Sequence, residues 1–172
     1  MLKLKLYHDI FNRTLPPLEQ LEYQAEQVSD PEVVHRLGMA HFQKLQFSQA
    51  AVQFSRAIEL NPGAWEPRLH RGLTRVIMGQ FEPAIADFSA VLAQEPAQFE
   101  ALYNRGRILA RLRRDGEAIA DFQVVQRLDW RRARRLRVPK AVRSLRRRQR
   151  GRDPNPLDRF VDWVDDKLSV LL

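Results

Sequence analysis

Residues 69–88 read LHRGLTRVIMGQFEPAIADF, and residues 102–122, LYNRGRILARLRRDGEAIADF, return the same features. The step between copies is 34 residues. Gly38, Gly72 and Gly106 lie on it, as do Ala50, Ala84 and Ala118, and Phe54, Phe88 and Phe122. Ala57, Val91 and Val125 make a further column, and Pro62 and Pro96 another, with Trp130 in the place of a third Pro. Several columns held in one register over three copies define an internal repeat. The windows are residues 31–64, 65–98 and 99–130.

Each window carries the pattern of two helices. In the first, Ser29 or Asp30 can cap a helix that has Pro31 in its first turn, where the missing N–H costs nothing. Val34, Leu37, Ala40 and His41 then recur along one helical face. A break at KLQF leads to a second helix, SQAAVQFSRAIEL, which Asn61-Pro62-Gly63 ends with strong turn chemistry. Gly38 and Ala50 are small enough for the two helices to approach closely, and Phe54 fills the space beyond. Such a hairpin cannot bury its apolar face alone, so the copies must stack. The fold class expected is all-α, built from stacked antiparallel hairpins.

With Gly, Ala, aromatic and Pro at this step, residues 31–130 resemble the tetratricopeptide repeat family, in the variety where Arg precedes the Gly. The resemblance implies a right-handed solenoid of three repeats. Val34 and Arg68 depart from it, standing where a large aromatic is usual. Carrying the register outward meets Lys140 and Pro16 instead of Gly and Ala, which limits the array to three copies.

The flanks are of another kind. Within residues 1–30, PPLEQLEYQAEQV at 16–28 aligns Leu18, Leu21, Ala25 and Val28 as a capping helix, and 2–12 carries Leu2, Leu6 and Ile10 at helical spacing. Residues 131–152 form a basic helical segment in which Pro139 starts a helix, Gly151 ends it, and Val138, Val142 and Leu145 make an apolar stripe. Residues 153–172 set Leu157, Phe160, Val161, Val164, Leu168 and Leu171 on one face of an amphipathic helix, opposite a group of aspartates. That helix can pack on Arg143 and Arg147 or leave the body for a groove of another protein; packing is the expected arrangement, because six large apolar side chains are costly to expose.

The 172 residues are 44% hydrophobic and 29% charged, as in a folded chain rather than a disordered one. Cysteine is absent, which excludes disulfides, thiolate metal sites and a cysteine nucleophile. No apolar run approaches the length of a membrane span, and MLKLKLYHDIF lacks the pattern of a secretory signal, so a cytoplasmic location is expected. The formal charge of +8 is unevenly spread: residues 131–152 hold 12 of the 29 basic side chains and no acidic one. The rest, with 17 basic against 21 acidic side chains, carries −4.

No catalytic motif appears. His35 and His41 are six apart and do not share a helical face as metal ligands would. There is no phosphate loop, dinucleotide fingerprint or nucleophile elbow. The expectation is a protein that is not an enzyme and that needs no cofactor or metal.

The family resemblance implies that the first helix of each copy lines a concave groove for a peptide or helix. Its residues here are His35, Met39 and Phe42; Leu69, Leu73, Val76 and Ile77; and Tyr103, Arg107 and Arg111. Part of this set is expected to be core between repeats, Val76 and Ile77 above all. The clamp with which some family members hold an acidic chaperone tail is missing, since His35, Met39 and Glu100 occupy its places. The basic patch comprises Arg131, Arg132, Arg134, Arg135, Arg143, Arg146, Arg147, Arg148 and Arg150. Three partners fit it: nucleic-acid phosphates, an anionic membrane surface, or an acidic protein. A solvated end cap fits as well, because Arg outnumbers Lys 24 to 5 throughout the chain. The first reading is an adaptor or assembly factor that binds a protein in its groove. The alternatives are an RNA- or ribosome-associated factor and a peripheral membrane-associated assembly factor.

Overall fold

A computed structural model describes residues 15–27 and 29–151. Among these there are nine α-helices and no strand, in agreement with the all-α expectation. The chain divides into two compact units, Met1–Pro96 and Ala97–Leu172. The segment read as a helix over 2–12, the position Val28 and the amphipathic helix of 153–172 lie outside the described residues.

The first unit contains α1 (Leu18–Gln27), α2 (Pro31–Gln43), α3 (Phe47–Leu60), α4 (Glu66–Ile77) and α5 (Phe81–Gln94). Helices α2 and α3 form one hairpin, α4 and α5 the next, and α3 packs against α4. Asp30 caps α2 by accepting from the Glu32 N–H at 2.9 Å, with Pro31 at the helix start. Helix α1 closes the free end of the first hairpin. Its Leu21 and Ala25 are buried with Val34, Leu37, Ala40 and Ala57. The Arg56 guanidinium donates to the Ala25 carbonyl at 3.1 Å, which satisfies one acceptor near the end of α1.

Each hairpin turns in the same way. The Leu45 and Gln46 N–H groups donate to Phe42 and His41 carbonyls, both at 2.9 Å, which is a Schellman ending. Gly79 and Gln80 repeat it onto Val76 and Arg75, and Arg113 and Arg114 onto Ala110 and Leu109. The left-handed residue of each ending has φ of 62° at Leu45, 77° at Gly79 and 65° at Arg113. The turn is therefore another 34-residue column, although three different residue types fill it.

Small residues set the distance between paired helices. A Cβ on Gly38 would stand 2.6 Å from the Phe54 ring; on Gly72 it would be 2.8 Å from Phe88, and on Gly106 2.9 Å from Phe122. Phe54 and Phe88 are fully buried and Phe122 nearly so, and Ala50, Ala84 and Ala118 are sealed beside them. Burial of one such ring stabilises the fold by roughly 2–3 kcal/mol.

The second and third copies add an ion pair. Asp87 accepts from Arg71 Nε and Nη2 at 3.1 and 2.7 Å and from Arg75 Nη1 at 2.7 Å. Arg71 also reaches the Ser55 hydroxyl at 3.0 Å, tying α4 to α3. One step later, Arg105 grips Asp121 through Nε and Nη2 at 2.9 and 2.7 Å. This hydrogen bonding raises the guanidinium pKa of Arg105 above its ordinary value. The first copy has Leu37 and Gln53 at these places, and there α1 supplies apolar cover for Leu37.

The second unit contains α6 (Phe99–Arg111), α7 (Asp115–Leu128), α8 (Trp130–Arg135) and α9 (Val138–Gln149). Helices α6 and α7 make the third hairpin, and α9 packs on α7. The basic segment, expected as one helical stretch with its helix at Pro139, is two helices. Asp129 accepts from the Arg132 N–H at 2.8 Å and so starts α8 early, and Arg137, at φ 58°, turns the chain into α9. Val138, Val142 and Leu145 form the buried stripe of α9, and Ala133 that of α8.

Candidate partner-binding surface

The ten side chains read as groove residues divide by burial. His35, Met39, Phe42, Leu69 and Leu73 are at most 6% exposed and belong to the core of the first unit. Val76 and Ile77, expected to be core, are only partly covered in the last turn of α4. Tyr103 and Arg107 are half-buried on α6, and Arg111 is exposed at its end.

His35 shows why its part of the set lies inside. Its Nε2 is 2.7 Å from His70 Nδ1, the two rings stack at 4.9 Å, and both lie against Phe54 at 5.8 and 5.7 Å. One ring nitrogen donates and the other accepts, so the contact satisfies one polar atom of each ring inside the core. The pair spans α2 and α4 and so joins two hairpins. The 35-residue separation of the partners, one off the repeat step, hid it from the sequence register.

The surface of α6 is different. The rings of Phe99 and Tyr103 stack at 6.3 Å, and Tyr103 also lies 6.3 Å from Phe122. The Arg107 guanidinium stands 5.5 Å from the centre of the Tyr103 ring. At the other end, Arg132 of α8 lies over Phe99 at 4.1 Å and donates to Glu100 at 2.5 Å. Two stacked aromatic side chains of α6 thus lie between two arginines, in a run of cation–π and ring contacts. Burial raises the Tyr103 phenol pKa above its ordinary 10.0, against the nearby Arg107 charge, so the ring is neutral at physiological pH.

The nine arginines of the basic patch are likewise sorted by their surroundings. Arg132 is engaged by Phe99 and Glu100. Arg148 forks onto both Asp115 oxygens and donates to the Ala110 carbonyl at 2.9 Å, fixing α9 to the α6–α7 turn. The pair lowers the Asp115 pKa and raises that of Arg148. Arg143 and Arg147 are half-buried along α9. Arg131, Arg135, Arg146 and Arg150 are exposed, and Arg134 is partly so. The segment is therefore an end cap with a second, outward face.

The Arg71–Asp87 and Arg105–Asp121 pairs are legible as two more columns at the 34-residue step, RG followed by DF. Glu100 and Asp115 had no such signal, because their partners lie 32 and 33 residues away in a segment outside the repeat. Among the described residues, no group of three His, Cys, Asp or Glu side chains is arranged to hold a metal, and no helix is long and apolar enough to cross a membrane.

Residues 71–133 match the tetratricopeptide repeat model. No curated protein matches the sequence. Among solved structures, the chain is similar to MamA from residue 41 onward of Desulfovibrio magneticus RS-1, at 21% identity over 99% of this chain and 94% of that one, with a TM-score of 0.71. It is similar to the Yersinia enterocolitica type III secretion chaperone SycD in complex with a peptide of the translocator YopD, at 18% identity over 69% and 93%, with a TM-score of 0.63. The first TPR of Spaghetti (RPAP3), bound to the HSP90 peptide SRMEEVD, is similar at 17% identity over 69% and 92%, also with 0.63. At these identities the likeness is one of fold. The matched model identifies tetratricopeptide repeat sequence over residues 71–133, and the repeated Gly–Phe contacts and the repeated turn carry the same pattern through all three hairpins.

Proposed function

We propose that this protein is a non-catalytic interaction adaptor that receives a peptide or helix of a partner on the accessible side of α6. The observation that carries the reading is Arg107 poised on the Tyr103 ring, half-exposed and without an acidic partner among the described residues. A guanidinium held on an aromatic face, with Arg111 one turn further on, is prepared to meet a carboxylate or a peptide carbonyl while the ring gives apolar contact. Two proteins of similar fold were solved with bound peptides, which supports the same use here.

The test is affinity. Peptides selected from a display library against the full chain are titrated against the wild type and Tyr103→Ala with Arg107→Glu. Truncation of an interface anchor and reversal of its charge together cost at least tenfold in affinity at a hot spot. Unchanged binding by a folded double variant would place the interaction elsewhere.

A further inference from the structure

Helix α8 presents a face that neither the described part of the fold nor the proposed peptide surface uses. With 3.6 residues per turn, buried Ala133 points to one side, and Arg132 leans from that side onto Phe99 and Glu100. Trp130, Arg131, Arg134 and Arg135 project from the other. Trp130 is 53% exposed, unusual for so large a ring. Among the described residues, Asp129 accepts from the Arg132 N–H and Glu100 accepts from the Arg132 guanidinium, so both carboxylates are engaged by Arg132. No ion pair holds Arg131, Arg134 or Arg135 among the described residues.

We infer that this face binds single-stranded RNA. The forks of Arg131, Arg134 and Arg135 would take backbone phosphates, and the Trp130 ring would take one base. Guanidinium groups meet phosphate oxygens bidentately, and an exposed aromatic among them supplies the sequence-tolerant stacking platform that single strands need. A duplex offers no unstacked base and leaves the ring idle. An anionic bilayer suits the arginines but not the apolar part. Leu128, 42% exposed, is the apolar neighbour in sequence, and the acidic Asp129 separates it from Trp130 along the chain. With one base stacked and no base edge read, binding is indifferent to sequence.

The measurement is fluorescence anisotropy of a labelled oligouridylate titrated with the full chain. Three neutralised phosphates on a single strand give a log–log salt slope of about −2, a loss of about 20-fold from about 50 to 200 mM salt. Trp130→Ala weakens binding about tenfold. Arg131→Glu, Arg134→Glu and Arg135→Glu together abolish it, whereas Arg146→Glu with Arg150→Glu on α9 has the smaller effect. Phosphatidylserine-rich vesicles are the parallel probe. The inference is overturned if the wild type fails to bind RNA at low salt, if Trp130→Ala binds as well as wild type, or if vesicles bind and RNA does not. All these side chains are at the surface, so melting curves by circular dichroism should match the wild type. Should the triple variant prove unfolded, Trp130→Ala alone decides. The peptide titration above is independent, and either result can fail without the other.

Discussion

Gly72 lies under Phe88 so closely that a methyl group on it would stand 2.8 Å from the ring. The same relation joins Gly38 to Phe54 and Gly106 to Phe122, so one contact sets the spacing of all three hairpins. In an ordinary helix, Gly→Ala would stabilise by about 1 kcal/mol. Here overpacking should outweigh that gain, for a net loss of about 1–2 kcal/mol at Gly72. Gly38→Ala, at 2.6 Å, should cost the most and Gly106→Ala, at 2.9 Å, the least. Urea denaturation of the three variants checks the order, and a stabilised variant would refute the contact as the cause.

The turn column predicts the opposite response. Leu45 and Arg113 hold left-handed backbone that Gly79 adopts without strain. Leu45→Gly and Arg113→Gly should each stabilise by up to about 1 kcal/mol, and Gly79→Ala should destabilise by about as much. Nothing lies within 4 Å of a Cβ at Gly79, so its effect isolates the backbone term. Thermal melting reads all three.

Asp87 is buried between two arginines, so its removal should be expensive. Asp87→Ala strands Arg71 and Arg75 in partly dry surroundings and should cost about 3 kcal/mol. A loss below about 1 kcal/mol in urea denaturation would show that the arginines find other acceptors.

The acid limit of the second unit should depend on Asp115. Its pKa is lowered by Arg148, so the pair's contribution is complete above the ordinary aspartate value of 3.8 and is lost as pH falls through the lower folded value. Arg148→Ala should remove that dependence and speed amide exchange over 138–149 at neutral pH. Equal exchange in both proteins would mean that Val138, Val142 and Leu145 hold α9 without the pair.

The repeat was legible because hairpin packing imposes a small residue and an aromatic at fixed places, and a fixed place repeated three times leaves a column. The capping helix and the stripe on α9 were legible from the period of their apolar residues. Burial within a helix was harder to read. His35, Met39, Phe42, Leu69 and Leu73 have the helical positions of groove residues, but their exposure depends on neighbouring helices that no local pattern specifies. Helix α8 leaves no such pattern because its six residues are too few for a period, and its start depends on one cap, Asp129.

The proposed partner surface is the accessible side of α6. Amide hydrogen exchange of the full chain, with and without a saturating display-selected peptide, tests it most directly. Slowed exchange over α6, including the segment with Tyr103 and Arg107, is the expected result. Protection that leaves α6 unchanged and falls only on other helices would contradict it.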